Sequence, residues 1–135
     1  MLSEKIGEFT GKVTTQRVLP ADASGPKMET SFQSTGKILG VEVNELGTYS
    51  SVMRAGGVVY GEGQGVYMTK DGESCSWVGS GVGKPSGRGM GISYRGAVYY
   101  QTTAARLARL NSMCAVFEYE VDENGNTHAI MSEWK

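Results

Sequence analysis

Apolar and polar residues alternate with a period of two along most of this chain, the pattern of strands that bury one face. In "FTGKVTTQRV", Phe9 and Val13 share one face, and Thr10, Lys12 and Thr14 lie on the other. The segments "KMETSFQ" and "KILGVEV" continue the alternation. The second of these predicts an unbroken strand that runs through Leu39, with Leu39, Val41 and Val43 on one face.

One short stretch, "TAARLARLN", has a helical pattern instead. Leu107 and Leu110 lie three residues apart and would share one face of a helix. We expect Thr103 to cap the N-terminus, and Asn111 to end the helix in the left-handed conformation. The pattern therefore predicts a helix over 103–110.

Two dipeptides predict tight hairpins. Asp71-Gly72 and Asn124-Gly125 each stand between extended runs, and such pairs favour two-residue type I′ turns because both residues need positive φ. The first turn would place Lys70 opposite Glu73. The second turn would put two sets of residues on one face: Ala115, Phe117, Tyr119 and Val121 with His128, Ile130, Ser132 and Trp134.

Together these patterns predict about eight strands, joined mostly by short turns. A set of antiparallel strands removes its exposed edges by closing into a barrel. The expected fold is all-β: a single eight-stranded, mostly antiparallel, up-and-down barrel with one short helix, in which residues 1–135 form one domain. A sandwich of two sheets is the alternative.

Composition excludes several classes of function. Thirteen basic and fourteen acidic residues leave a net charge of −1, so no broad field attracts nucleic acid or an anionic membrane. No stretch has the length of apolar sequence that spans a membrane, and the charged start "MLSEKIGEFTGK" is not typical of a signal peptide. We therefore expect a cytoplasmic protein that binds neither nucleic acid nor membrane.

Cysteine and histidine are too few for the usual zinc sites. The chain has two cysteines, Cys75 and Cys114, and one histidine, His128. We expect both cysteines to be thiols in a reducing compartment. His128 is expected to have a structural role, and we expect no metal and no cofactor.

Seven glycines fall between Gly61 and Lys84 without forming a nucleotide motif. Gly61, Gly63 and Gly65 keep the spacing G-x-G-x-G, and a turn follows where a dinucleotide site needs a helix. "VGSGVGKPS" has Pro85 where a P-loop needs serine or threonine. These glycines instead indicate a strongly curved hairpin.

The other face of that hairpin carries the candidate chemistry. Its bulky apolar members predict that it faces the lumen, which would bury Glu62 as an acid/base group beside Gln64. The expected ligand-binding wall is Tyr60, Gln64, Met68, Trp77, Tyr119 and Trp134. The alternative for Glu62 is a structural network that closes one end of the barrel.

The succession of "GEGQGVYMTKDGES", "GRGMGISYRGAVYYQT" and "ARLARLNSMCAVFEYEVDENGNT" resembles small prokaryotic proteins that are similar to allene-oxide-cyclase-like barrels, within the lipocalin-like group. The resemblance covers most of the chain. It implies a single barrel, a homo-oligomer, and an activity that depends on a buried glutamate with few other polar groups. No motif of that family matches residue by residue, so no catalytic residue is carried over.

The expected function is to bind a small, largely apolar molecule in the lumen, and to isomerise or cyclise it. This hypothesis requires a cavity of roughly 300 Å³ or more beside Glu62. The alternative is a structural or interaction protein whose lumen is filled by its own side chains. We also expect a symmetric dimer, formed through a flat face that carries Gly61, Gly63 and Gly65 with Ser76 and Ser80.

Overall fold

The computed structural model describes residues 3–135 and confirms the eight-stranded antiparallel barrel. Strands β1 to β8 follow one another in chain order around the barrel, and β8 closes on β1. The strands are β1 (Ser3–Asp22), β2 (Gly25–Ile38), β3 (Val41–Met53), β4 (Val59–Thr69), β5 (Ser74–Pro85), β6 (Ile92–Thr102), β7 (Ala115–Val121) and β8 (Asn126–Trp134).

A short 3₁₀ helix, Ala105–Ser112, lies between β6 and β7. Its start differs from the prediction, because Ala104 occupies the N-cap position and no side chain caps the helix. Asn111 also has no left-handed backbone. Its side chain instead accepts from the Thr102 backbone N–H at 2.8 Å and donates to the Thr102 carbonyl at 3.0 Å, which ties the helix to β6.

This helix plugs one end of the barrel. Leu107 and Leu110 are fully buried, as their spacing predicts, and they belong to the same apolar cluster as Phe9 and Tyr67. The Phe9 and Tyr67 rings stack with centroids 5.1 Å apart. The plugged end is therefore solid with side chains.

The prediction of two-residue turns at Asp71-Gly72 and Asn124-Gly125 is wrong. Both loops have three residues, because the Thr69 N–H donates to the Glu73 carbonyl and the Asp122 N–H donates to the Asn126 carbonyl, each at 2.9 Å. In each loop a type I turn is followed by glycine with a φ near 85°, the three-residue hairpin with a G1 bulge.

The aspartates explain the longer loops. The Asp122 carboxylate accepts from the backbone N–H groups of Asn124 and Asn126, both at 2.9 Å. The Asp71 carboxylate accepts from the Thr69 hydroxyl at 2.6 Å and forms an ion pair with Arg106 of the 3₁₀ helix at 3.1 Å.

The extra loop residue shifts each register by one position. Tyr67 pairs with Cys75, and Val121 pairs with Thr127. Since paired residues share a face, a shift of one residue moves a whole strand's side chains to the opposite side. The predicted Lys70–Glu73 pair is accordingly absent among the described ion pairs, and Lys70 meets Glu42 at 3.0 Å.

A two-residue turn does occur, at Leu39-Gly40. Both residues have positive φ, 50° and 77°, and Ile38 pairs with Val41 across the turn. The strand predicted to run through Leu39 is therefore two strands. The leucine hides this turn in the sequence, because a left-handed conformation is rare for such a side chain.

Candidate functional site

A cavity of about 70 Å³ lies in the barrel lumen, beyond the end that the 3₁₀ helix plugs. Seven ring-bearing residues line much of its wall: Phe9, Phe32, Tyr49, Trp77, Tyr94, Phe117 and Tyr119. The rings of Phe32, Tyr49, Trp77, Tyr94 and Tyr119 contact one another with centroids 5.4 to 6.4 Å apart. The cavity is therefore the space that an aromatic cluster leaves open.

Glycines of β4 and β5 form the wall opposite many of these rings. Gly61, Gly63, Gly79 and Gly81 border the cavity, and Gly63 pairs with Gly79 across the two strands. A side chain at these positions would project into the lumen. Because these glycines have no side chains, this part of the wall is bare backbone, whereas other strands place bulky side chains there.

One glycine has a specific partner. A Cβ added at Gly65 would lie 2.5 Å from Trp77 Nε1, closer than real contacts allow. Trp77 is the cross-strand partner of Gly65, so the indole lies over the glycine backbone. The missing side chain at Gly65 is what seats the indole in the lumen.

Glu45 is the buried carboxyl group of the cavity wall. It lies on β3 between Ser34 of β2 and Tyr67 of β4, and it is only 3% exposed. The Ser34 hydroxyl donates a hydrogen bond of 2.6 Å to its Oε1. Burial raises the pKa of Glu45 to about 7, although the Ser34 hydroxyl and the nearby Trp77 indole offset part of the rise.

Two donors in the cavity wall have no partner. Trp77 Nε1 and Tyr119 Oη are buried, and no described residue forms a hydrogen bond with either atom. The indole N–H lies close enough to Glu45 to lower the pKa of that carboxyl without completing a hydrogen bond. Buried donors are rarely left unpaired in proteins.

The prediction that Glu62 faces the lumen is wrong. The register shift places the glycines inside and the even-numbered residues of β4 outside, so the Glu62 carboxylate is exposed. The Tyr60 hydroxyl donates to Glu62 at 3.3 Å on this outer surface, and the Arg54 guanidinium lies 4.3 Å above the Tyr60 ring. Gln64 and Met68 also face outward.

Of the predicted ligand wall, Trp77 and Tyr119 do line the cavity. Trp134 does not, since it is 53% exposed near the end of the chain. His128 faces outward rather than toward the lumen, and its Nε2 forms a hydrogen bond of 2.6 Å with Glu8. Its role in the structure is a surface contact between β8 and β1.

The lumen cavity is smaller than the roughly 300 Å³ that the hypothesis requires, and a groove of about 380 Å³ beside Glu62 and Gln64 lies on the outer surface instead. The glutamate whose side chain is buried in the cavity wall is Glu45, which the sequence interpretation missed. The pattern of β3 could have revealed it, because Val43, Glu45 and Gly47 continue one face and all three are buried.

The two cysteines are free thiols. Cys75 is fully buried beside the Tyr67–Tyr100 pair, whose hydroxyls lie 3.2 Å apart, and burial raises the pKa of its thiol to about 11. A thiol with a raised pKa is a poor nucleophile. Cys75 is therefore part of the core rather than a reactive group.

Residues 3–135 include no group of three or more histidine, cysteine, aspartate or glutamate side chains placed to hold a metal ion. Within the same residues, no helix is long and apolar enough to cross a membrane. The candidate site thus consists of the lumen cavity, Glu45 and the two unpartnered donors.

No protein-family model matches the chain, and no curated protein matches it. Solved structures with the same fold do. A protein with unknown function from Clostridium acetobutylicum is 14% identical, with all of both chains covered and a TM-score of 0.83. A β-barrel-like protein from Acinetobacter baumannii is 12% identical, with 99% of this chain and 96% of that chain covered and a TM-score of 0.83.

An enzyme from Penicillium herquei is also similar in structure. It is 14% identical, with 98% of this chain and 94% of that chain covered and a TM-score of 0.70. Similarity at these identities shows a shared fold. It assigns no ligand and no activity to this chain.

Proposed function

We propose that the barrel binds a small molecule in its lumen and that Glu45 transfers a proton to or from it. One observation carries the proposal: a buried carboxyl group lines an otherwise largely apolar cavity. A carboxyl in such a place is costly to the fold unless something offsets its burial. Strongly perturbed carboxyl groups in cavities are typical of functional sites.

The protonation of Glu45 suits acid/base chemistry at neutral pH. With its pKa raised to about 7, the protonated and ionised forms are both present near pH 7. General acid/base catalysis is most efficient when the pKa lies near the working pH. The Ser34 hydroxyl fixes one carboxyl oxygen and leaves the rest of the group for a ligand.

The cavity limits the size of the ligand. Sites for drug-sized molecules measure roughly 300 to 1,000 Å³, whereas this cavity measures about 70 Å³. In this arrangement of side chains the lumen accommodates a small molecule or the head group of a larger one. A long acyl chain would have to displace rings of the aromatic cluster.

The resemblance to allene-oxide-cyclase-like barrels supports the same proposal. It implies a buried glutamate with few other polar groups, and Glu45 fits that description although Glu62 does not. The structural neighbour from Penicillium herquei is an enzyme. An isomerisation or a cyclisation is therefore the class of reaction that we assign to the lumen.

A second function is favoured by the packing of the lumen. The aromatic rings fill most of it, and Glu45 already has a hydrogen-bond partner in Ser34. Both features fit a structural or interaction protein that acts through its surface. Under this alternative Glu45 is a structural residue, and no small molecule enters the barrel.

Native mass spectrometry of the freshly purified protein, followed by a thermal-shift screen, distinguishes the two functions. The screen compares small ketones, lactones, phenols and terpenoids. We expect at least one class to raise the melting temperature of the wild type, and Glu45→Gln to reduce that effect. Glu62→Gln on the outer face is the matched control and should behave as the wild type.

Stabilisation that depends on Glu62 and not on Glu45 would contradict the lumen site. A complete lack of stabilisation, with no retained molecule in the mass spectrum, would favour the filled structural barrel.

A further inference from the structure

The two unpartnered donors indicate what the ligand must offer. Trp77 Nε1 and Tyr119 Oη can each donate a hydrogen bond, and no described residue accepts one from either. Both side chains border the cavity that Glu45 also lines. A ligand that enters this cavity is therefore expected to present an acceptor atom to them.

The fold holds both donors in place. Tyr119 is 8% exposed, and its ring contacts those of Phe32, Tyr49 and Tyr94 at 5.4, 5.9 and 6.2 Å between centroids. Trp77 is held over the bare backbone of Gly65. Neither donor can turn to water without disturbing the aromatic cluster.

Glu45 lies near both donors. The indole N–H lowers the pKa of Glu45, while burial and the neighbouring Tyr49 hydroxyl are the main causes that raise the pKa of Tyr119, with a smaller contribution from the charge of Glu45. All three groups border the same cavity of about 70 Å³. A small ligand in this cavity would meet two hydrogen-bond donors and one proton-transfer group at once.

We propose that the ligand is a carbonyl compound whose oxygen accepts hydrogen bonds from Trp77 Nε1 and Tyr119 Oη, while Glu45 moves a proton at the carbon next to the carbonyl. This inference rests on the proposed function, since it names the substrate class of that same site. The oxygen of a carbonyl is a strong acceptor with two lone pairs, which matches two donors.

The reaction balances without a co-reactant. The ionised Glu45 takes a proton from the α-carbon, the C–H bond breaks, and its electron pair forms the carbon–carbon double bond of an enolate. The negative charge moves to the oxygen, where preformed donors in a dry cavity stabilise it. Protonated Glu45 then returns the proton to the same carbon, or to a conjugated carbon, which shifts a double bond.

Nuclear magnetic resonance of the two indole N–H groups tests the contact with the donor. The chain has two tryptophans, and Trp134 is 53% exposed, so its signal is an internal control. Butanone is the probe, and ethyl methyl sulfide is the control of similar shape without the carbonyl oxygen. We expect butanone to shift the Trp77 indole signal and leave that of Trp134, and the sulfide to shift neither N–H.

Exchange of the α-hydrogens of butanone in D₂O tests the chemistry. We expect the wild type to exceed the buffer rate and Glu45→Gln to lose the excess. Tyr119→Phe, which removes an unpartnered hydroxyl and should leave the fold intact, should slow exchange by about 10²-fold or more, the effect of losing one oxyanion donor. Tyr99→Phe on the outer face is the matched control and should change nothing.

The outcomes separate this inference from the proposed function. Suppose that both probes raise the melting temperature of the wild type but not that of Glu45→Gln. If butanone then leaves the Trp77 indole signal in place, and Tyr119→Phe exchanges hydrogen as fast as the wild type, the lumen site stands and the carbonyl class is wrong. If butanone leaves the Trp77 signal unmoved, water rather than a carbonyl oxygen satisfies the donors, and the inference is also overturned. Absence of stabilisation by either probe, together with exchange at the buffer rate, contradicts both.

Discussion

Ionisation of Glu45 should make the barrel less stable as the pH rises. Burial raises the pKa of this carboxyl to about 7 in the folded protein, against 4.5 for an unperturbed glutamate. Between these two values the folded protein holds a proton that the unfolded chain has released. The free energy of unfolding therefore falls with rising pH across this interval and is flat above it.

The magnitude follows from the two pKa values. Each pH unit across the interval is worth about 1.36 kcal/mol. Allowing for partial titration at its ends, the wild type should lose about 2.5 kcal/mol between pH 5 and pH 8 through this single group. Glu45→Gln cannot ionise and should not show this loss.

Urea unfolding at pH 5, 6, 7 and 8 measures the effect, with circular dichroism as the readout. The quantity to compare is the wild-type free energy of unfolding minus that of Glu45→Gln, because all other titrating groups contribute to both proteins. The difference should fall by about 2.5 kcal/mol from pH 5 to pH 8. Glu62→Gln should run parallel to the wild type, and parallel curves for Glu45→Gln would refute the burial argument.

Four other outcomes are expected. Gly65→Ala should cost about 1 to 3 kcal/mol of unfolding free energy in chemical denaturation, because its methyl group would strike the Trp77 indole, whereas Ser80→Ala on the outer face should cost little. Leu107→Ala should cost about 2 to 5 kcal/mol in the same assay, since the side chain is fully buried in the plug. Ellman's reagent should label Cys114 faster than the fully buried Cys75 in the native protein and both equally in denaturant. The flat face expected to form a dimer does not exist as predicted, because Gly61 and Gly63 border the lumen rather than the outer surface. We still propose a symmetric dimer, for which light scattering should give twice 14.4 kDa, and a mass of 14.4 kDa at micromolar concentration would rule it out.

The barrel is predictable from the sequence because each strand carries its own period-two pattern. Phe9 and Val13 mark the inner face of β1, and Thr30 and Phe32 mark that of β2, with no reference to another strand. The plug is equally local, since Leu107 and Leu110 alone specify which side of the helix is buried. Features of this kind need no knowledge of distant residues.

The site is harder to predict because it depends on which face of β4 points inward. That choice rests on the loop at Asp71-Gly72, where the same two residues serve either a two-residue or a three-residue hairpin. Aspartate side-chain hydrogen bonds and the Arg106 contact accompany the longer loop, and the arginine lies 35 residues away. A loop length that is wrong by one residue therefore places Glu62 in the lumen, where the structure has a row of glycines.

The same loop choice misplaced β8. Asp122 holds a three-residue loop, so Thr127, Ala129 and Met131 face the lumen, whereas His128 faces outward. Tyr119 was placed correctly because the alternation within β7 decides its face. Glycine-rich strands such as β4 lack bulky residues on one face. When that glycine face points inward, the alternation of bulky residues predicts the wrong face as the buried one.

Methyl signals of two methionines test most directly whether the lumen beside Glu45 is the ligand site. Met131 lines the cavity, and Met68 lies on the outer face of β4 with 37% of its surface exposed. Titration with butanone, followed by ¹H–¹³C correlation spectra, should shift the Met131 methyl signal and leave that of Met68 in place. A shift of Met68 alone, or no shift of Met131 at any concentration that the protein tolerates, would contradict the account.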